Sequence, residues 1–382
     1  MGLITKIKYS YNDISIVPAD ISYINHRKEC NPFYEDGMLP LFTAPMTSVV
    51  DEKNFEIFEQ NKIHAILPRT VDLDKRIEYS INGKWAAFGL NEFEDVFIKN
   101  TIDSNKIKIL IDVANGHMER ILKLVTQFKE KYKDIDNKIM VGNIANPLTY
   151  YHYAKVGVDY VRCSVGTGSA CLTTSNTSVH YPMASLIDEI KEIKEEVSCH
   201  KELYKSIPQI IADGGVRNYS DAIKALALGA DYVMIGGVFT KMLESAAPSF
   251  VTYCDDTNYS NPQFVSTYIT DFTKLEKAKG KQWNVWNADK TKYEFQNVVL
   301  HKEMFGMASK QAQELMHGKK IHTSEGLSKI IIVEYTMEQW VNNFIDYLRS
   351  AMSYTNSKTL DYFKNNTTTI VISNNTYQSV NK

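Results

Sequence analysis

Cys171 stands in the run Gly166-Thr167-Gly168-Ser169-Ala170-Cys171-Leu172-Thr173, a setting unlike that of any other cysteine in the chain. A cysteine is most often a small buried hydrophobe, but a loop this rich in glycine and hydroxyls offers little core to pack against. Its peptide N–H groups can stabilise a thiolate, the nucleophilic form, and its carbonyls can hold a monovalent cation. Two further glycine turns follow, Asp213-Gly214-Gly215 and Gly236-Gly237. Glycine lets the backbone approach a phosphate closely, and a following helix N-terminus adds unpaired N–H donors. Gly214, Gly215, Gly236 and Gly237, with the Ser169 hydroxyl, therefore read as a phosphate cradle. The alternative is that they only make tight turns, and two such pairs favour phosphate. Asp213 reads either as an acceptor for ribose hydroxyls or as a turn cap, the two being comparable on that residue alone. Cys163 reads as core. The nine histidines form no metal-ligand spacing, which argues against a catalytic zinc. Gly166-x-Gly168 is followed by Cys171 where a dinucleotide-binding fingerprint needs another glycine.

The elements that must position these residues are short apolar runs at 39–44, 64–67, 85–89, 109–113, 139–142, 160–165, 209–212 and 232–235. Most are apolar throughout rather than alternating, as parallel strands buried on both faces are. The stretches between them carry helical signals. Ile121, Leu124, Val125 and Phe128 share one helix face. Ser185 precedes the series Leu186, Ile190, Ile193 and Val197, and Ser220 with Asp221 opens a helix that Gly229 closes. Eight strands alternating with helices predict a closed (β/α)₈ TIM barrel in preference to a doubly wound sheet. In such a barrel the turns after strands four (Asp112 to Gly116), six, seven and eight surround one mouth. Residues 240–299 are long, polar and aromatic without clear periodicity, and 317–337 hold a basic segment and an apolar run. Both read as lid or flap elements over that mouth. Residues 1–364 thus read as one barrel domain, and the Asn-, Thr- and Ser-rich tail 365–382 as partly disordered.

Composition is that of a soluble globular protein, with 44% hydrophobic and 23% charged residues. A formal net charge of −2 gives no electrostatic case for nucleic acid or an anionic membrane. Five cysteines at irregular spacing, with no C-x-x-C pair, predict free thiols in a reducing compartment. The first eleven residues lack a signal-peptide core and no apolar run approaches the ~20 residues of a membrane span, so a cytoplasmic location is expected.

Taken together, these motifs resemble the IMP dehydrogenase/GMP reductase family from about residue 11 to residue 354. The resemblance rests on Thr43-Ala44-Pro45-Met46, Asp112 to Gly116, Gly142-Asn143-Ile144, the glycine–cysteine loop and Asp213-Gly214-Gly215. It continues through Gly236-Gly237, Phe305-Gly306-Met307, Ser324-Glu325-Gly326 and Leu348-Arg349-Ser350. It implies a barrel, usually a homotetramer, that binds a purine nucleoside 5′-monophosphate. Cys171 would attack purine C2 to form a covalent thioimidate, Asp213 would hold the ribose, and Ser169 with the glycine pairs would hold the phosphate. Gly306 and Met307 would approach the base, and Asp112, Ala114 and Asn115 the nicotinamide cofactor. Carbonyls of Gly166, Gly168 and Cys171 would form a potassium site.

The family has two branches, and the resemblance favours the reductase. The dehydrogenase branch activates water with a flap arginine, whereas residues 327–335 contain none. Asp-Val-Ala-Asn-Gly is the reductase form of the strand-four turn. In that branch NADPH supplies hydride and ammonia leaves, with Thr173 and Glu325 as the proton relay. Three local departures stand out. Phe305 replaces a usual Tyr, 178–182 replaces a glycine-rich segment, and Leu67-Pro68-Arg69 replaces a His-Lys stretch, so no catalytic lysine carries over there. Residues 240–299 are also longer than in typical reductases. A dehydrogenase, a reductase of deoxy or modified 2-aminopurine nucleotides, and a non-catalytic nucleotide-binding barrel stay open as alternatives.

Overall fold

The computed structural model of the chain describes residues 6–167, 172–255, 263–268, 272–287, 289–307, 309–317 and 326–380. Strand β1 (Ile14–Ile16) precedes eight parallel strands: β2 (Leu41–Thr43), β3 (Ile66–Leu67), β4 (Trp85–Phe88), β5 (Lys106–Asp112), β6 (Asp136–Ile144), β7 (Tyr160–Cys163), β8 (Gln209–Asp213) and β9 (Tyr232–Ile235). They are ordered β2-β9-β8-β7-β6-β5-β4-β3. A parallel bridge between Phe42 and His64 joins β2 to the residues before β3, and Ile66 N donates to Thr43 Oγ1 at 2.9 Å. The sheet thereby closes into the predicted (β/α)₈ barrel.

Burial follows the pleat. On β4, Trp85 and Ala87 point into the barrel while Ala86 and Phe88 point to the helices, and all four are buried. Leu110, Met140, Ile211 and Met234 complete the interior. Its floor is aromatic, with Phe42 against Trp85, Tyr160 and Tyr232 and stacked on His64. Burial lowers the His64 pKa to about 4, so the imidazole is neutral there. Outside, the helix Glu119–Lys131 buries Ile121, Leu124, Val125 and Phe128, the face its spacing predicts.

Two helix starts differ from expectation. The helix at Ser185 begins earlier and spans Met183–Cys199, because the Ser185 hydroxyl accepts from Tyr9 N at 2.8 Å instead of capping. The helix Tyr219–Ala227 is capped by Asn218, whose side chain accepts from Asp221 N.

Residues 240–299 are not the irregular loop that their sequence suggests. After β9 come β10 (Ser249–Asp255), β11 (Gln263–Tyr268), β12 (Leu275–Lys277), β13 (Gln282–Trp286), β14 (Tyr293–Phe305) and β15 (Ser328–Ile332). They pair antiparallel in the order β11-β10-β14-β13-β12, with β15 also on β14. Trp283, Val285, Val298 and Leu300 form a core of their own that meets Leu243 and Val333. Lys302 of β14 lies fully buried beneath this sheet and donates to the Ser245 carbonyl at 2.6 Å. The tail is also more ordered than its composition suggests. A last strand, β16 (Thr369–Val371), pairs antiparallel with β1, and the helix Asn374–Val380 follows. No helix among the described residues is long and apolar enough to cross a membrane.

Candidate active site

At the C-terminal mouth of the barrel lies a cavity of about 840 Å³. Its wall gathers the ends of β5, β7, β8 and β9, as the (β/α)₈ architecture requires of a site built from loops. Of the residues singled out from sequence, Asp112, Ala114, Asn115, Gly166, Thr173, Asp213, Gly214, Gly215, Gly236, Gly237, Gly306 and Met307 all line it. Gly168, Ser169, Cys171 and Glu325 lie outside the described residues. Thr173 opens the short helix Thr173–Thr177, and so stands two residues beyond the candidate nucleophile.

The turn after β8 needs its glycine. Gly214 has φ +109°, in the left-handed region, and a Cβ there would overlap the Thr167 hydroxyl, which itself hydrogen-bonds Ser164 at 2.5 Å. Gly166 is similarly constrained, with φ +71° and Thr174 packed where a Cβ would go. The β7 and β8 loops are therefore locked together through glycine and hydroxyl contacts rather than apolar packing.

A charged network that the sequence reading missed crosses the mouth. Arg162 of β7 is 5% exposed, and its Nη1 donates to Asp112 Oδ1 at 2.6 Å. Its Nη2 and Nε donate to Asp213 Oδ2 at 2.9 and 3.2 Å, and Asn143 Nδ2 adds a third bond to the same oxygen at 2.6 Å. Burial opposes the guanidinium charge, but the Asp213 and Asp112 carboxylates outweigh it and hold the pKa above the usual value. Asp213 Oδ1 accepts no hydrogen bond among the described residues, which leaves an acceptor at the cavity wall. One signal was available: an arginine in a strand buried on both faces is tolerated only beside carboxylates.

The β5 and β6 ends are stitched by Val113 N to Gly142 O, Asn143 N to Val113 O and Gly116 N to Asn143 O, at 3.0, 2.8 and 2.8 Å. Across the cavity, Thr47 hydrogen-bonds Thr70 at 2.5 Å and approaches Met307 Sδ at 3.8 Å, so the β2, β3 and β14 ends meet. Arg69 also faces the cavity, beside Gly89, and its Nε lies 3.6 Å from a Glu92 already bound twice by Arg76. Cys163 is fully buried and burial pushes its thiol pKa up, so it is an inert core residue. Cys30 is buried and Cys199 exposed, both as free thiols.

The IMP dehydrogenase / GMP reductase domain model matches residues 84–261. The GMP reductase of Lactobacillus delbrueckii subsp. bulgaricus (strain ATCC BAA-365 / Lb-18) is 30% identical over 266 residues, 66% of this chain and 75% of that protein. The chain belongs to the IMP dehydrogenase/GMP reductase family. The GMP reductase of Bacillus subtilis (strain 168) is 25% identical over 89% of this chain and 90% of its own length. The inosine-5′-monophosphate dehydrogenase of Chlorobaculum parvum is 26% identical over 74% of this chain. Against that relative and its Chlorobaculum tepidum counterpart, the chain spans about half the length, 48% and 44%. Family membership carries the barrel and draws attention to one end of it, where every described candidate residue already lies.

Proposed function

We propose that this chain is a GMP reductase that converts GMP to IMP and ammonia with NADPH. The observation that carries the reductase reading is the absence of arginine from residues 327–335, and from the whole sequence between Arg217 and Arg349. A flap arginine to activate water against a cysteine adduct is therefore missing from that stretch. The relatives named GMP reductase support the same reading. The two named inosine-5′-monophosphate dehydrogenases keep the oxidative reaction as the second reading.

In the proposed reaction the nucleotide phosphate sits on Gly214, Gly215, Gly236 and Gly237 with Ser169. Its ribose hydroxyls donate to Asp213 Oδ1, since Oδ2 is taken by Arg162 and Asn143. Cys171 thiolate adds to purine C2. The exocyclic amine at C2 leaves poorly as an anion, so Thr173 and Glu325 pass it a proton and it departs as ammonia. The nicotinamide dinucleotide supplies hydride to C2 when bound, and Asp112, Ala114 and Asn115 would hold it. Expulsion of the thiolate then gives IMP. A cavity of about 840 Å³ fits this, because it lies high in the range of ~300–1,000 Å³ usual for a single small ligand. Carbonyls of Gly166, Gly168 and Cys171 would hold potassium.

The test is absorbance at the nicotinamide wavelength with GMP plus NADPH, run beside IMP plus NAD⁺, with ammonia assayed in both. NADPH loss matched by ammonia and IMP is the expected result. NADH formation from IMP would replace the reading with the dehydrogenase. Silence in both, followed by silence with deoxy and modified 2-aminopurine nucleotides, would leave a nucleotide-binding barrel.

A further inference from the structure

His117 sits just past β5, and its ring spans to the first residue past β6. Ala145 N donates to His117 Nε2 at 3.1 Å. A peptide N–H can only donate, so Nε2 is unprotonated and a neutral ring carries its proton on Nδ1. Nδ1 lies 3.0 Å from Asn115 Oδ1, and His117 N donates to the same oxygen at 3.1 Å. The second bond fixes which atom of the Asn115 amide is oxygen, again because the partner is a backbone donor. With Oδ1 taken twice, the Nδ2 amide group has no partner among the described residues, and Asn115 is an exposed lining residue of the cavity. Two backbone N–H groups thus dictate the proton positions of the whole chain Ala145–His117–Asn115.

We infer that His117 is a positioning residue that holds Asn115 with its Nδ2 as a hydrogen-bond donor toward an acceptor oxygen of the bound nicotinamide dinucleotide. This rests on the proposed function only in the identity of the dinucleotide. The same chemistry, a donor seeking an oxygen acceptor, could instead serve the mononucleotide, and the measurements separate the two. The device is pH-dependent by construction. Protonated His117 carries hydrogen on both nitrogens, so Nε2–H would face Ala145 N–H, donor against donor. Burial lowers the His117 pKa and no charged group contributes to that shift. The nearby charges are engaged elsewhere: Asp112 with Arg162, Glu119 with Lys123, and Arg120 with Glu94.

The experiment is titration of the full-length protein with NADPH, followed by the fluorescence of the reduced nicotinamide. Wild type, His117→Ala and His117→Gln are compared at about pH 7.5 and about pH 5.5, with the KM for GMP measured alongside. His117→Ala should weaken NADPH binding by about tenfold, the size of one or two hydrogen bonds, with kcat and the KM for GMP within about twofold. His117→Gln can accept from Ala145 N and donate to Asn115 Oδ1, so it should bind like wild type at the higher pH. It should also lack the weakening that wild type shows at the lower pH. Unchanged NADPH affinity in His117→Ala, a loss confined to GMP, or an acid weakening shared by His117→Gln would each overturn the assignment. So would a wild type that binds no NADPH. A wild type that binds NADPH but leaves it unoxidised with GMP would overturn the reductase reading alone.

Discussion

Replacing Arg162 by methionine isolates the charged network at the mouth. The guanidinium holds Asp112 at 2.6 Å and Asp213 at 2.9 Å, and the two carboxylate side chains are only 17% and 15% exposed. Methionine fills most of the volume but leaves two carboxylates facing each other without a counter-ion. Removing one partner of a buried pair costs about 3–5 kcal/mol, because the remaining charge is left uncompensated. Here two charges are stranded, and their partial exposure limits the cost to the same range. The sign with pH follows. In the variant, lowering the pH protonates one carboxylate and relieves the repulsion, so the loss of stability shrinks toward acid. Urea unfolding of wild type and Arg162→Met at about pH 5, 7 and 8.5 should give a midpoint difference equivalent to about 3–5 kcal/mol at the two higher values and at least about 1 kcal/mol less at the lowest. Adding Asp112→Asn should recover part of the deficit, since only one carboxylate is then stranded. A deficit under about 1 kcal/mol that does not vary with pH would refute the reasoning, for it would mean that water already solvates both carboxylates.

Cys171→Ser should abolish NADPH oxidation with GMP while GMP still binds by calorimetry; near wild-type turnover would remove Cys171 as the nucleophile. Gly214→Ala places a Cβ against Thr167 at φ +109°, so the KM for GMP should rise at least about tenfold; an unchanged KM would show that this turn does not cradle the phosphate. Lys302 is fully buried and burial lowers its pKa to about 7, opposed only in part by Glu244 and Asp51. The unfolded chain binds this proton up to about pH 10.4, so stability should increase between about pH 7 and pH 10, by up to about 4–5 kcal/mol, and be lost again as pH falls. Thermal melts at about pH 7 and pH 9.5 should show that rise in wild type and a smaller one in Lys302→Met; parallel profiles would place the Lys302 amine in contact with water.

The barrel was legible because most of its strands are apolar on both faces, as Trp85 to Phe88 and Ile109 to Ile111 are, and because eight such runs alternate with helices. That the glycine turns and Asp213 share one cavity wall could be read for a related reason, since all stand at strand ends that a barrel gathers at one mouth. The sheet after β9 was not. On β14 the inward positions are Val298, Leu300, Lys302 and Met304, and the buried lysine interrupts the alternation that would have exposed the strand. Strand β16 is three residues in a polar tail, and only its pairing with β1 makes it a strand. Arg162 was hidden by position, because its partners Asp112 and Asp213 lie about fifty residues away on either side and meet it only through the lateral order of β5 to β8 in the sheet.

The pairing of Ile14 with Val371 brings together residues more than 350 positions apart. Tyr11 and Asn12, which belong to the cavity wall, are held in the segment this pairing secures, and Ile372 N adds a bond to the Asp13 carbonyl at 2.8 Å. Closing so long a loop costs little more than closing a shorter one at equilibrium, since each doubling of length adds about 0.6 kcal/mol. Its effect on timing is larger. During synthesis β1 waits, unpaired, until β16 has left the ribosome, and contacts of such high sequence separation form late. One wall of the pocket is therefore finished only after β16 has been made, so a translation product stalled before residue 369 can contain every strand of the barrel and still lack a complete binding site.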